Sequence, residues 1–431
     1  MTRQNRNLLS WSTVLSAAAI LLWQPVAVAQ EPTDNSAALD ISVPDVKSGF
    51  DGPSSVSGTI AEDASARKPS SGALDDNPFR GWFAFKARVT KEHGFTPGFD
   101  YTALYQHYSS SPVHEKNAVG GIARAFGTWA FAGRQSGNTT SVTYKIENRH
   151  RIGTNLAPQD AGIAAGSTLP TGTAFSDGRN MLTNLFFQQR LAGGKVSLQA
   201  GIIDVTDFLD IYGMVSPWQH FQNLAFLTSP AISAPNPGLG IAGGAMLTPN
   251  VYVIGSFADA NGDPTFPTNP FDSFFNTAEY FKSVEIGWTS EQGRIYLDNV
   301  HLTYWHADER KAAGVEESDG VAFNASWFVN GKWLPFLRAG YSRGTAAPMK
   351  KSIAAGLGLR RANKDVAGFS IAWGDPSVSA LRNQTTAEVF YRWQINDVMA
   401  ITPSLQLIHH PALDPTNDNL VVIGLRVRNA L

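Results

Sequence analysis

The chain has 431 residues, a formal net charge of −2 and no cysteine. The lack of cysteine excludes a disulfide framework and a lipid attached to an N-terminal cysteine. The near balance of acids and bases gives no reason to expect a nucleic-acid partner.

Residues 1–29 have the pattern of a secretory signal peptide. Arg3 and Arg6 precede the apolar segment VLSAAAILLW (14–23), and AVA at 27–29 is an A-x-A cleavage site. A spanning helix needs about twenty apolar residues, so an uncleaved anchor is the less favoured alternative. The exported chain is then either soluble in the periplasm or a closed barrel, which satisfies its own backbone in lipid.

Residues 30–77 are rich in Ser, Ala, Pro, Asp and Gly and contain almost no aromatic residues. This composition predicts a flexible periplasmic extension, with at most a short ordered piece around Val56 to Ile60. The composition changes at PFRGW (78–82), where we place the start of a second domain, residues 78–431.

From GWFAFKARVT (81–90) onward, apolar residues recur at every second position in stretches of about ten residues. Turn residues separate these stretches, and the weakest candidate strand is GLGIAGGAML (238–247). The roughly 350 residues after Trp82 accommodate about sixteen strands of about 9 to 11 residues with their connections. Many apolar faces also end in Trp or Tyr, as in aromatic girdles. We therefore predict an all-β, porin-like, transmembrane antiparallel barrel with an aqueous channel; an array of soluble sandwiches is the less favoured alternative.

Two segments interrupt the alternation. Residues 158–178 form a Gly/Ala/Thr-rich loop, and residues 204–237 are too long for a turn and too aromatic for a solvated loop. We predict that one or both fold into the lumen and constrict it, with Asp204, Asp207 and Trp218 as the constriction residues. The alternative is a loop packed over the rim of the barrel.

Motifs for catalysis or metal binding are weak. GYSRG (340–344) matches the G-x-S-x-G nucleophile elbow, but no helical periodicity follows it. DANGD (259–263) resembles the start of a calcium loop, yet Pro264 replaces the required glycine. The nine histidines have no metal-ligand spacing. We predict no enzyme activity, no cofactor and no metal.

Candidate solute-binding residues lie on the face opposite the lipid. In VTYKIENRHR (142–151), apolar residues face one way from Val142 to Ile146 and charged residues face the other. Arg forks and carboxylates match the donors and acceptors of vicinal hydroxyls, and Trp218 and Trp305 could offer apolar ring faces to a sugar. The alternative is that these charges only stabilise and solvate the interior. The predicted pore-lining residues are Arg124, Lys145, Glu147, Arg149, Gln188, Arg190, Glu285, His301, Trp305, Arg338, Glu388 and Arg392.

Several separated segments resemble the carbohydrate-selective porins, the OprB-type family of Gram-negative outer membranes. They include IENRHRIG (146–153), NLFFQQRL (184–191), DNVHLTYWHADER (298–310) and ITPSLQLIHHPALDP (401–415). The resemblance implies a sixteen-stranded, often monomeric barrel that passes monosaccharides such as glucose through a constriction lined by Arg and Glu. Glu147 and Arg149 match the ENR motif, and Arg190 matches the QQR motif.

The resemblance also implies partners. These are sugars, outer-membrane lipid and lipopolysaccharide, and the barrel-assembly machinery, which in this family commonly reads a final aromatic residue where this sequence has Leu431. Monomer and trimer remain open from the sequence. A general or anion-preferring porin is the alternative function, because arginines outnumber acids on the predicted lumen face.

Overall fold

The computed structural model describes residues 50–66, 79–266 and 270–431. The predicted signal peptide, residues 1–29, lies outside the described residues, as do residues 30–49 and 67–77 of the predicted extension. Among the described residues, every helix is too short or too polar to span a lipid bilayer.

Sixteen antiparallel strands form a closed barrel, in which each strand pairs with its sequence neighbours and β1 pairs with β16. This confirms the predicted fold, including a strand at the weakest candidate, β6. The strands are β1 Phe95–Tyr108, β2 Asn117–Ala132, β3 Thr140–Arg151, β4 Arg179–Leu191, β5 Val196–Ile203, β6 Gly238–Met246, β7 Val251–Asp259, β8 Tyr280–Thr289, β9 Asn299–Ala307, β10 Ser318–Ser326, β11 Trp333–Arg343, β12 Met349–Arg360, β13 Val366–Pro376, β14 Gln384–Gln394, β15 Met399–His409 and β16 Asn419–Ala430.

The two mouths of the barrel differ in their connections. At one mouth the connections are short, as at 192–195, 247–250 and 395–398, and β1 begins and β16 ends there. We call this the turn mouth. The other mouth, which we call the loop mouth, carries the long connections 152–178 and 204–237.

The alternation along each strand separates an outer from an inner face. On the outer face Ile146, Leu302 and Ile423 are about half exposed, whereas inward neighbours such as Glu147 are buried. Outward indole rings lie near the turn mouth, where Trp288 and Trp327 stack with their centroids 5.1 Å apart. An apolar belt edged by aromatic rings is the outer surface that a transmembrane barrel needs.

The two long connections at the loop mouth fold into the lumen. The connection 152–178 contains helix Pro158–Ala164, and Ala161 and Phe175 are buried. The connection from Asp204 to Pro237, which we call the lumen loop, packs apolar residues against the inner wall. The prediction that these segments fold inward is confirmed.

The predicted strand GWFAFKARVT is instead part of a helix, Arg80–His93. The same residues satisfy helical spacing, because Trp82, Phe85 and Val89 fall on one helix face. Gly94 ends the helix in the left-handed conformation with φ 70°, and its N–H donates to the carbonyl of Thr90. The first strand therefore begins at Phe95.

Part of the predicted flexible extension is also folded. Residues Phe50–Ala66, which we call the plug segment, include helix Val56–Ala66, which we label α1; helix Arg80–His93 is α2. Phe50, Val56 and Thr59 are buried, and the ring of Phe50 packs near Tyr252 of β7. The ordered piece is thus longer than the Val56-to-Ile60 piece expected from the sequence.

Candidate functional site

A cavity of about 420 Å³ opens between the lumen loop and the wall at the loop mouth. Its volume falls in the usual range of small-molecule sites, roughly 300–1,000 Å³. Its lining is both apolar and charged, with three basic and three acidic side chains among the described lining residues: Lys145, Arg149, Arg310, Glu147, Asp204 and Asp207.

The charged residues from β3 form pairs at the cavity wall. Lys145 Nζ lies 3.3 Å from Asp207 Oδ2, and Arg149 Nη2 lies 2.6 Å from Glu147 Oε2. Burial raises the pKa of Asp207 to about 7, with Lys145 opposing the rise and Asp204 adding to it. The structure thus places Lys145, Glu147, Arg149 and both predicted loop acids together at this cavity.

Trp218 of the lumen loop forms the inner limit of this cavity. The side chain is buried, and the Arg124 guanidinium carbon lies 4.1 Å from its ring centroid. Trp218 also lines a second space of about 20 Å³ nearer the turn mouth, together with Asp63 and Arg392. That second space has room for about one water molecule. The indole therefore stands between the cavity and the turn mouth.

Trp218 and two wall residues that pair across β2 and β3 each have one buried polar atom without a hydrogen-bond partner among the described residues. They are Glu147 Oε1, Arg124 Nη1 and Trp218 Nε1. Buried polar atoms are normally paired, so unpaired ones beside a cavity are candidates for bonds to water or to a solute. One is an acceptor and two are donors.

Other inward residues of the predicted set hold the lumen loop to the wall and do not line the cavity. Asp210 is the centre of one group: its N–H donates to Glu285 Oε2 at 2.9 Å, and its Oδ1 lies 3.3 Å from His301 Nε2. Arg338 donates to the Asp210 carbonyl at 3.0 Å. Asp210 adopts φ 55°, a left-handed conformation that these contacts stabilise.

Glu388 and Arg392 anchor the middle of the same loop. The backbone N–H groups of Gln222 and Asn223 both donate to the Glu388 carboxylate at 2.9 Å. Arg392 donates to the side-chain oxygen of Gln219. Parity along the strands correctly placed both residues inside the barrel, but the loop occupies the space that they face.

Trp305 differs from the prediction that it offers a ring face to a solute. The side chain is fully buried, and its Nε1 donates to the carbonyl of Ala231 at 2.9 Å. Its ring stacks on Phe281 with centroids 6.2 Å apart. The lumen loop covers it, so Trp305 belongs to the packed interior.

Gln188 and Arg190 face the plug segment. Gln188 Nε2 donates to Asp51 Oδ2 at 3.3 Å, and Arg190 Nη2 lies 3.2 Å from the same oxygen. The plug segment also contacts the lumen loop, since the Gly52 N–H donates to the Asp207 carbonyl at 2.6 Å. Nothing in the sequence signals these contacts, because an acid in a Ser/Pro-rich segment is typical of a solvated chain.

Two further acids of the plug segment bind the opposite wall. Glu62 pairs with Arg360 at the end of β12, and Asp63 Oδ2 accepts from Arg428 Nη2 at 2.8 Å. Arg428 also donates to Asp100 of β1, whose carboxylate pairs with Arg124. A chain of charges therefore connects the plug segment to the residue stacked on Trp218.

The charge of Glu62 is strongly stabilised. Burial alone would raise the pKa of this carboxyl, but the positive charge of Arg360, with contributions from His220 and Arg392, lowers it to about 2. Glu62 thus stays ionised through the neutral and mildly acidic range. The acids of the plug segment thus contact the wall near the turn-mouth ends of β4, β12 and β16.

Comparison with known proteins identifies the family of this barrel. The family described as carbohydrate-selective porin, OprB family, matches residues 83–325 and 307–430. The chain belongs to the OprB family of carbohydrate-selective porins. The family and its fold are those of channel proteins of the outer membrane.

Solved structures share this fold, and a curated porin matches part of the sequence. The high-pH structure of Pseudomonas putida OprB matches with a TM-score of 0.66 at 16% identity, covering 81% of this chain and 97% of that one. The low-pH structure of the same protein gives 0.50 at 11% identity, covering 84% and 100%. Porin AaxA of Chlamydia pneumoniae is 29% identical over 123 residues, which cover 26% of this chain and 28% of that porin. The match therefore spans little more than a quarter of that curated relative.

Proposed function

We propose that this porin mediates passive, carbohydrate-selective diffusion of monosaccharides such as glucose across the outer membrane into the periplasm. The observation that carries the proposal is the cavity at the loop mouth, where ion pairs and an aromatic ring meet around a volume of about 420 Å³. Short turns face the periplasm in bacterial barrels, so a solute would enter at the loop mouth.

The chemistry of the lining favours a neutral, hydroxyl-rich solute. Glu147 supplies acceptors, Arg149 and Lys145 supply donors, and vicinal hydroxyls can bond to both kinds of group. The unpaired atoms Glu147 Oε1 and Trp218 Nε1 add an acceptor and a donor at the floor. Sugar C–H groups are suited to the face of the Trp218 indole, which is already polarised by Arg124.

The charge balance of the cavity argues against strong anion preference. Three basic side chains face three acidic ones among the described lining residues. The surplus of arginines along the inner face is directed elsewhere: Arg338 and Arg426, for example, donate to lumen-loop carbonyls. A pore needs groups that bind a solute firmly enough to admit it and weakly enough to release it.

Liposome swelling tests selectivity directly. Proteoliposomes should admit glucose faster than a neutral amino acid of similar size, and faster than a neutral disaccharide. Equal rates for glucose and the amino acid would support the alternative, a general diffusion porin.

Glucose block of single-channel current tests the site. Trp218→Ala and Glu147→Gln should each weaken the block by about tenfold, the effect of losing about 1.4 kcal/mol of binding. Trp305→Phe is the matched control, because that inward-facing indole lies outside the cavity. Block that survives both cavity substitutions would contradict this binding site while leaving porin activity itself intact.

A further inference from the structure

Helix α2 carries an aromatic stripe that faces away from the barrel. The side chains of Trp82 and Phe85 are 36% and 42% exposed, and their rings stack with centroids 5.7 Å apart. Val89 continues the stripe at helical spacing. Phe83, on another side of the helix, is buried. Exposed aromatic side chains in a row are unusual on a helix that meets only water.

Contacts at the C-terminal end of α2 place that end of the helix beside the lipid-facing belt. The helix packs on β1 and β2 at the turn mouth. The indole Nε1 of Trp129, a half-exposed girdle residue of β2, donates to the carbonyl of His93 at 3.2 Å. Arg134 donates to the carbonyls of Lys91 and Glu92, also at 3.2 Å. The C-terminal end of α2 therefore lies at the aromatic girdle.

The charges of α2 are mostly basic. Arg80, Arg88 and Lys91 are exposed, against a single acid, Glu92. The Arg88 guanidinium lies 5.8 Å from the Phe85 ring centroid, so the aromatic stripe is bordered by a cation. Phosphate oxygens are suitable partners for such side chains at the edge of an apolar layer.

We propose that α2 is an interfacial helix, which inserts Trp82, Phe85 and Val89 into the phospholipid leaflet at the turn mouth and directs its basic residues to headgroup phosphates. Helices with one apolar aromatic face and a Lys/Arg-rich remainder lie in the plane of the interface, with the apolar face about 5–10 Å deep. Because α2 contacts Trp129 of the lipid-facing girdle, we infer that lipid covers the aromatic stripe. A second copy of the chain is the competing occupant that the experiment must distinguish.

The absence of cysteine from the chain makes the test straightforward. Trp82→Cys and its control Ala84→Cys are each labelled with an environment-sensitive fluorophore in the full-length protein, refolded into phosphatidylethanolamine–phosphatidylglycerol vesicles. Two positions along a helix are about 200° apart, so the control probe faces the opposite side. Iodide should quench the probe at position 82 several-fold less than the probe at position 84. Spin labels near the lipid headgroup should quench position 82 preferentially.

Equal iodide quenching at the two positions would overturn the proposal. So would protection at position 82 that rises with protein density and resists spin-labelled lipid, because that result identifies a second copy. Adding Arg88→Gln and Lys91→Gln should raise iodide quenching at position 82, and an unchanged value would overturn the headgroup contact. Heat-modifiable mobility in electrophoresis verifies that every variant has a folded barrel.

Discussion

Asp207 is a cavity residue whose charge should change within the ordinary pH range. Its carboxyl lies 3.3 Å from Lys145, lines the cavity, and has a pKa raised by burial to about 7. A raised pKa means that the folded protein takes up a proton as the pH falls through about 7. The cavity then keeps three basic groups but only two ionised acids.

We expect the preference for anions to rise as the pH falls through about 7, measured as the reversal potential in a potassium chloride gradient. Asp207→Asn should show the greater anion preference above about pH 7 and should match the wild type at lower pH, where Asp207 is itself neutral. Asp204→Asn should move the transition to lower pH, because the Asp204 charge helps to raise the pKa of Asp207. A transition that persists unchanged in Asp207→Asn would contradict this assignment.

We expect the plug segment to limit passage at the turn mouth. It reaches from Arg190 of β4 to Arg360 and Arg428 on the opposite side of the barrel, and each of these arginines binds one of its acids. A hydrogen bond to a charged group contributes about 1.5–3 kcal/mol. Loss of the acids should therefore shift the segment away from the wall.

The double variant Glu62→Gln and Asp63→Asn should raise single-channel conductance and its fluctuations, because the two helix anchors are weakened together. Glu316→Gln with Glu317→Gln, two acids in the connection after β9, is the matched control and should leave the current unchanged. An unaltered conductance in the plug variant would show that the segment does not limit the pore.

The effects of Glu62 in the plug segment and of Asp207 can be distinguished by the pH at which conductance changes. The lowered pKa of Glu62 means that its pairing stabilises the folded state above its usual titration range and is lost only as the pH falls through about 2. A conductance change near neutral pH therefore does not arise from protonation of Glu62 and release of α1.

At the scale of the whole molecule, the barrel was predictable because two solvents impose a period of two on every strand. The same rule misassigned GWFAFKARVT, since Trp82, Phe85 and Val89 satisfy helical spacing equally well; Gly94 was the available signal of a helix end. The plug segment was not predictable in this way, because its arginine partners lie in strands 139, 298 and 365 residues further along the chain.

Of the site, only the inward direction of its strand residues could be predicted, from the alternation along each strand. Alternation placed Glu147 and Glu388 on the inner face alike, but only the docked lumen loop decides that Glu147 meets the cavity and Glu388 meets backbone N–H groups. A pattern along one strand has no information about which segment comes to cover it. The ENR resemblance singled out Glu147 and Arg149, which do lie at the cavity.

The pairing of the inner charges determines how strongly transport depends on ionic strength. Most inward arginines are neutralised by a carboxylate or committed to carbonyls, as Arg124 is to Asp100 and Arg426 is to Pro217 and His220. Such a lumen has little long-range field to screen, even though the Debye length falls from about 30 Å at 0.01 M to about 3 Å at 1 M salt. Efflux of radiolabelled glucose from vesicles should therefore be nearly independent of salt, whereas a steep decline would reveal electrostatic steering.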